Sequence, residues 1–208
     1  MLIQTFFTDP VLFLRIVLIV IVSVTLHELA HGWVAVSQGD DSPKRDGRLT
    51  LNPVVHMGWE SIIFLCLAGI AWGKMPIEPW RFRHQKISRI LVAVAGPLLN
   101  LVLGLLFLVL LKWNFNLSGT ILSGKFLHLV AYINLALFLF NLLPIPPLDG
   151  FHICSELFPE LKSLEGTPFG LFALAILFTT GFSSGLRMLV NGVICTFISS
   201  LQSCSSLF

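Results

Sequence analysis

Charge is scarce in this chain. Of its 208 residues, 12% are charged and 55% are hydrophobic, whereas a soluble domain carries about a quarter charged residues. A water-soluble globular enzyme is excluded, and so is a nucleic-acid-binding module, which needs basic residues on a folded soluble face. Cysteine is also sparse. The four cysteines (Cys66, Cys154, Cys195 and Cys204) include no C-x-x-C pair. They read as small apolar residues, not as a disulfide framework or a zinc ribbon. No basic segment precedes the first apolar run, so a cleaved signal peptide is not expected. Internal repeats and low-complexity stretches are absent.

What the chain does have is long apolar runs. A spanning helix needs about 20 such residues. The first candidate runs from after Pro10 to about Gln38, ended by Gly39 and Pro43. Residues 48–52 alternate (Arg-Leu-Thr-Leu-Asn) and stop at Pro53, which predicts a short strand able to pair with an unwound substrate. The apolar run 61–72, flanked by Trp59 and Trp72, is too short to span and reads as a re-entrant or interfacial segment. Further spans are expected at about 87–112 and 125–143, with a membrane hairpin over 166–208 turning at Gly181 to Gly185. The expected fold is therefore an all-α polytopic membrane protein. It has five to six membrane segments and a small β element or re-entrant region near 48–72. All of 1–208 forms a single membrane-embedded domain, with a core at 10–165.

The few charges are placed unevenly. Lys74, Arg81, Arg83, Lys86 and Arg89 face a single Glu78 within residues 74–89, and the positive-inside rule puts this cluster in the cytoplasm. The first helix then runs from outside to inside, the second returns, and the third comes back in.

The chemistry starts at His27-Glu28-Leu29-Ala30-His31, an H-E-x-x-H pattern. On a helix, residues four apart share one face, so both imidazoles can reach one ion. Glu28, rotated by about 100°, can approach a metal-bound water as general base. Inside an apolar helix such ionisable residues cost several kcal/mol and imply function. The alternative is a buried polar trio tying helices together. Two histidines leave a catalytic metal site one ligand short. Asp149 is the candidate: it follows Pro144-Ile145-Pro146-Pro147-Leu148, where broken backbone lets a carboxylate turn inward. Alternatively it caps the next helix. The depths agree, because His31 lies roughly 10 Å before the end of the first helix at about 1.5 Å per residue, and Asp149 follows the cytoplasmic end of the third.

These residues resemble the site-2 protease family (M50) of intramembrane metallopeptidases. The likeness is carried by His27 to Gly32, Gly47-Arg48-Leu49-Thr50-Leu51-Asn52-Pro53, Ala95-Gly96-Pro97-Leu98-Leu99-Asn100 and Phe140 to Gly150, in the family's order. It is closest to the short members without a PDZ or CBS module. Departures occur at Met57-Gly58-Trp59-Glu60, at Trp72 to Pro76 and at Phe151, and these concern the substrate channel. The resemblance implies one Zn2+ held by His27, His31 and Asp149, with Glu28 as catalytic base. It also implies that Asn100 and Asn141 face the active site, binding the substrate backbone or an oxyanion. Interhelical hydrogen bonding is the other role open to both asparagines.

The expected function is hydrolysis of a peptide bond in or near the transmembrane segment of a single-pass membrane protein. The expected location is a bacterial cytoplasmic membrane, with the site toward the cytoplasm. A zinc hydrolase of a lipid or other non-peptide bond, or a metal-binding transporter, would share the same ligands. His56, His84, His128 and His152 lack a ligand spacing and read as ordinary.

Overall fold

A computed structural model describes residues 2–113 and 123–198. Nine α-helices are present among them. Helix α1 (Leu2–Thr8) leads into the long α2 (Pro10–Ser37). There Asp9 caps the first turn by accepting the Leu12 N–H at 2.9 Å, ahead of a proline at the first helical position. Helix α3 (Ser42–Arg45) is one turn, and α4 (Pro53–Ala68) begins at an Asn52 cap whose Oδ1 accepts the Val54 N–H at 3.0 Å. Then come α5 (Gln85–Lys112), α6 (Gly124–Asn141) and α7 (Asp149–Leu157). The last two are α8 (Phe169–Thr179) and α9 (Phe182–Ile198).

Helix α5 is the centre of the fold and packs against α2, α6 and α7. It runs unbroken through a buried Pro97. Gly104 lets it approach α6 closely, since a Cβ there would come within 2.8 Å of Leu135 Cγ. One apolar cluster (Leu108, Ala131, Leu135, Val190 and Ile194) joins α5, α6 and α9. A second (Phe13, Val17, Val24, Met57 and Leu65) joins α2 to α4. Large apolar residues on the outside, among them Leu18, Val22, Leu98 and Val102, are exposed, as suits side chains that meet lipid.

Three expectations are corrected. The first is the strand. No strand occurs among the described residues, because the alternating segment 48–52 has no second strand to pair with and satisfies its backbone locally. Arg48 N–H donates to the Pro43 carbonyl at 2.8 Å and Thr50 N–H to the Arg48 carbonyl at 2.9 Å. The Arg48 guanidinium donates to the Val55 carbonyl, and His56 Nε2 donates to the Thr50 carbonyl at 2.7 Å.

The second correction is the count of membrane segments. Three helices (α2, α5 and α6) are long and apolar enough to cross a bilayer, or four if the bent pair α8–α9 is one span; this replaces the expected five to six. The stretch read as re-entrant belongs to α4. Its 16 residues reach only about 24 Å, short of a hydrocarbon core of about 30 Å, and Gly58 breaks the helix with φ 71° and ψ 162°. Helices α8 and α9 meet at a bend of 69°. The third correction concerns Cys195, which is disulfide-bonded and not a plain apolar residue; Cys66 and Cys154 are free thiols as read, and Cys204 lies outside the described residues.

Candidate metal centre

The polar residues of α2 form one buried group in its C-terminal half. His27, Glu28 and His31 are each 7% exposed. The i, i+4 spacing sets the two imidazoles edge to face, with ring centroids 4.7 Å apart and planes at 79°. Asp149 comes from elsewhere. It opens α7 just after the Pro144–Pro147 turn, and that turn lies close enough to α6 only because Gly150 follows: a Cβ at Gly150 would run into the Leu142 and Leu143 carbonyls.

The donor atoms converge. His27 Nε2 lies 3.0 Å from Asp149 Oδ2, His31 Nε2 lies 3.4 Å from Asp149 Oδ1, and the two Nε2 atoms are 3.0 Å apart. A tetrahedral ion with arms of about 2.0–2.1 Å has donor–donor edges of about 3.3 Å. The two histidine nitrogens and the two carboxylate oxygens therefore lie at separations of that order, with one ligand atom from each residue within 4.8 Å of the others. Each imidazole is also held from behind. His31 Nδ1 donates to the Val92 carbonyl at 2.6 Å and His27 Nδ1 to Asn100 Oδ1 at 2.5 Å. With Nδ1 the outward donor on both rings, both Nε2 atoms are directed at the ion position. Two imidazoles and a carboxylate are a zinc-type donor set with a fourth position to spare, so the residues fit the metal.

Burial alone would raise the Asp149 carboxyl, but the two imidazoles beside it outweigh burial and hold it well below the usual carboxylate range. Among the described residues, these three form the one His, Cys, Asp or Glu cluster able to hold an ion.

Two glycines shape the cavity. A Cβ on Gly96 of α5 would occupy the space of both Nε2 atoms, and one on Gly73 would meet the Glu28 carboxylate. The loop carrying Gly73 is fixed from both sides. Ser61 Oγ donates to the Trp72 carbonyl at 2.7 Å and accepts the Trp72 N–H at 2.9 Å, and Lys74 N–H donates to the His56 carbonyl at 2.9 Å. Among the described residues no donor bonds the Glu28 carboxylate.

The two asparagines differ. Asn100 is 1% exposed and lies behind His27, with its Nδ2 donating to Asn134 Oδ1 at 3.1 Å. Asn141 Nδ2 donates to the Leu137 carbonyl of its own helix at 3.0 Å. The sequence reading passed over Asn134, 1% exposed, and the buried His56, whose Nδ1 has no partner. An asparagine inside an apolar span was the available signal for the first.

Three spans around a buried two-histidine, one-aspartate ion site define an integral-membrane metalloprotein. The model of peptidase family M50 matches residues 15–120 and 118–184. YwhC of Bacillus subtilis is 38% identical over 179 residues, covering 81% of this chain and 82% of that protein. Rip2 of Mycobacterium tuberculosis is 32% identical over 148 residues, with 68% of this chain and 55% of Rip2 covered. The zinc metalloprotease MJ0392 of Methanocaldococcus jannaschii is 28% identical over 180 residues, with 85% and 42% covered. The chain thus spans most of YwhC but about half of the other two. No solved structure matches it. The chain belongs to peptidase family M50. With the His27–His31–Asp149 cluster, that makes it an intramembrane zinc metallopeptidase.

Proposed function

We propose that the site cleaves a peptide bond within or beside the transmembrane segment of a single-pass membrane protein, on the cytoplasmic side, with Glu28 as general base. The observation that carries this reading is the Glu28 carboxylate. It is buried beside the ligand cluster, is bound by no donor among the described residues, and has the Gly73 backbone close against it. A carboxylate left this way can take a proton from an attacking water and return it to the departing amine.

His27, His31 and Asp149 hold the ion. A bound zinc ion supplies Lewis-acid chemistry, acidifying water and polarising a carbonyl. Asn141 keeps an amide oxygen able to accept a substrate N–H. Sidedness is supported by the basic cluster from Lys74 to Arg89 (which precedes and opens α5) lying at the same end as the last turns of α2 and α6. The membrane would be a bacterial cytoplasmic one. Residues 10–165 would form the catalytic unit, with a C-terminal membrane hairpin packed on it through α9; residues 199–208 of that hairpin lie outside the described residues.

The test compares membrane-protein neo-termini in cells carrying wild type or Glu28→Ala. Fragments ending inside transmembrane segments and present only with wild type establish the protease and name its substrates. Identical termini, with both proteins folded and zinc-loaded, overturn it.

A further inference from the structure

Asn134 carries no ligand chemistry of its own, yet it is 1% exposed at the centre of the apolar helix α6. Burying an amide at that depth is costly unless its hydrogen bonds are made, and here they form a directed series. Asn134 Nδ2 donates to the Val130 carbonyl at 2.9 Å. A carbonyl only accepts, so the amide is fixed with Oδ1 turned toward α5. That oxygen accepts Asn100 Nδ2 at 3.1 Å, which fixes the second amide in turn and leaves Asn100 Oδ1 facing His27. An amide oxygen also only accepts, so the hydrogen in the 2.5 Å contact belongs to His27 Nδ1.

We infer that Asn134 is a positioning residue of the metal centre: acting through Asn100, it sets the ring orientation and proton placement of His27 so that Nε2 is the metal-binding atom. The inference rests on the reading of His27 as a ligand. The relay crosses three helices, from α6 through α5 to α2. His31 needs no such relay, because the Val92 backbone carbonyl does the same work directly. One N–H of Asn100 and its amide oxygen are committed to this series, so Asn100 serves as the partner of His27.

The test uses the full chain in detergent micelles. Zinc affinity is measured by competition with a chelating dye, for wild type, Asn134→Leu, Asn100→Leu and the double variant. Leu135→Ala, a packing defect one residue along α6, is the control. Partners of metal ligands contribute about 10–100-fold to metal affinity, so Asn134→Leu is expected to weaken zinc about tenfold. In the Asn100→Leu background it adds no further loss, and Leu135→Ala leaves affinity unchanged. An equal loss in both backgrounds, or no loss at all, overturns the inference. A second readout is independent of how the variants fold. In zinc-loaded wild type labelled with 15N-histidine, NMR places the His27 proton on Nδ1 if the inference holds, and on Nε2 if it does not. If wild type binds no zinc, the reading of His27 as a ligand fails, and the inference fails with it.

Discussion

Two buried polar clusters are built on α2 and the turn that follows it, and they are finished in opposite ways. Asp40 is fully buried. Its carboxylate accepts the Ser42 N–H at 3.0 Å, the Ser42 hydroxyl at 2.6 Å and the Glu78 N–H at 2.7 Å. Every oxygen is answered by a donor, so the cluster is complete within the protein and ties the end of α2 to the loop before α5. Around His27 and His31 the outward nitrogens are satisfied in the same manner, but inward the chain presents two nitrogens and a carboxylate to one another. Burial and charge are common to both. What separates a structural cluster from a site is the sign of what remains: cancelled donors and acceptors in the first, converging lone pairs in the second.

The comparison breaks most visibly when a ligand is removed. His31→Ala should abolish both zinc binding and cleavage, read by metal content and by a fluorogenic or gel-based cleavage assay in micelles. Glu28→Gln should separate the two. Cleavage falls roughly 10²–10⁴-fold, the range for a lost general base, while bound zinc is retained; a variant cleaving at the wild-type rate removes Glu28 from the chemistry. Gly96→Ala comes next. Alanine favours a helix interior over glycine by about 0.5–1 kcal/mol, so a packing-neutral site would be stabilised. A Cβ at that position instead meets His27 and His31 Nε2, and zinc affinity should fall at least about tenfold. Wild-type affinity would show that the two rings do not lie over α5 as described.

How much of this could be read in advance depended on whether the signal was local. The ligand pair was legible because i, i+4 spacing on a helix is a property of one segment, and Asp149 because the proline run beside it marks a chain reversal. The strand at 48–52 was misread because Leu49 and Leu51 alternate, yet alternation makes a strand only when a partner edge exists; here Arg48 and His56 take the local carbonyls instead. The membrane segments were overcounted because the short run at 61–72 and both arms of the C-terminal hairpin were each counted, whereas α4 is too short to cross and α8 and α9 make at most one bent span. The roles of Asn134, Gly73 and Gly96 could not be read for a further reason, although an asparagine in an apolar span and two motif glycines were in view. Each matters through a neighbour on another element, and one sequence holds no information on which helices face each other.

The saturated cluster should respond in the other currency, stability. Asp40→Ala leaves the Glu78 and Ser42 N–H groups buried without acceptors, at a cost of about 1–3 kcal/mol. A lower melting temperature in micelles is expected, with zinc affinity unchanged. Weakened zinc binding at full stability would mean that the two clusters are one system.

The smallest effect is expected at a third acidic position. Glu156 on α7 has a side chain 10% exposed and pairs with Arg89 of α5 at 3.3 Å and Lys162 at 2.8 Å. Both cations are partly exposed, at 39% and 41%, so the ion pairs gain little over hydration, and Glu156→Gln should cost no more than about 1 kcal/mol. What little it costs should fade as salt rises from low to physiological concentration, because exposed charges are screened over about 8–10 Å. Thermal melts at two ionic strengths measure this directly. A loss that is large and independent of salt would move Glu156 into the class of Asp40, as a buried carboxylate whose partners are part of the fold. A small, screened loss leaves α7 held by packing against α5 and by the close approach at Gly150, the same approach that delivers Asp149 to the ion.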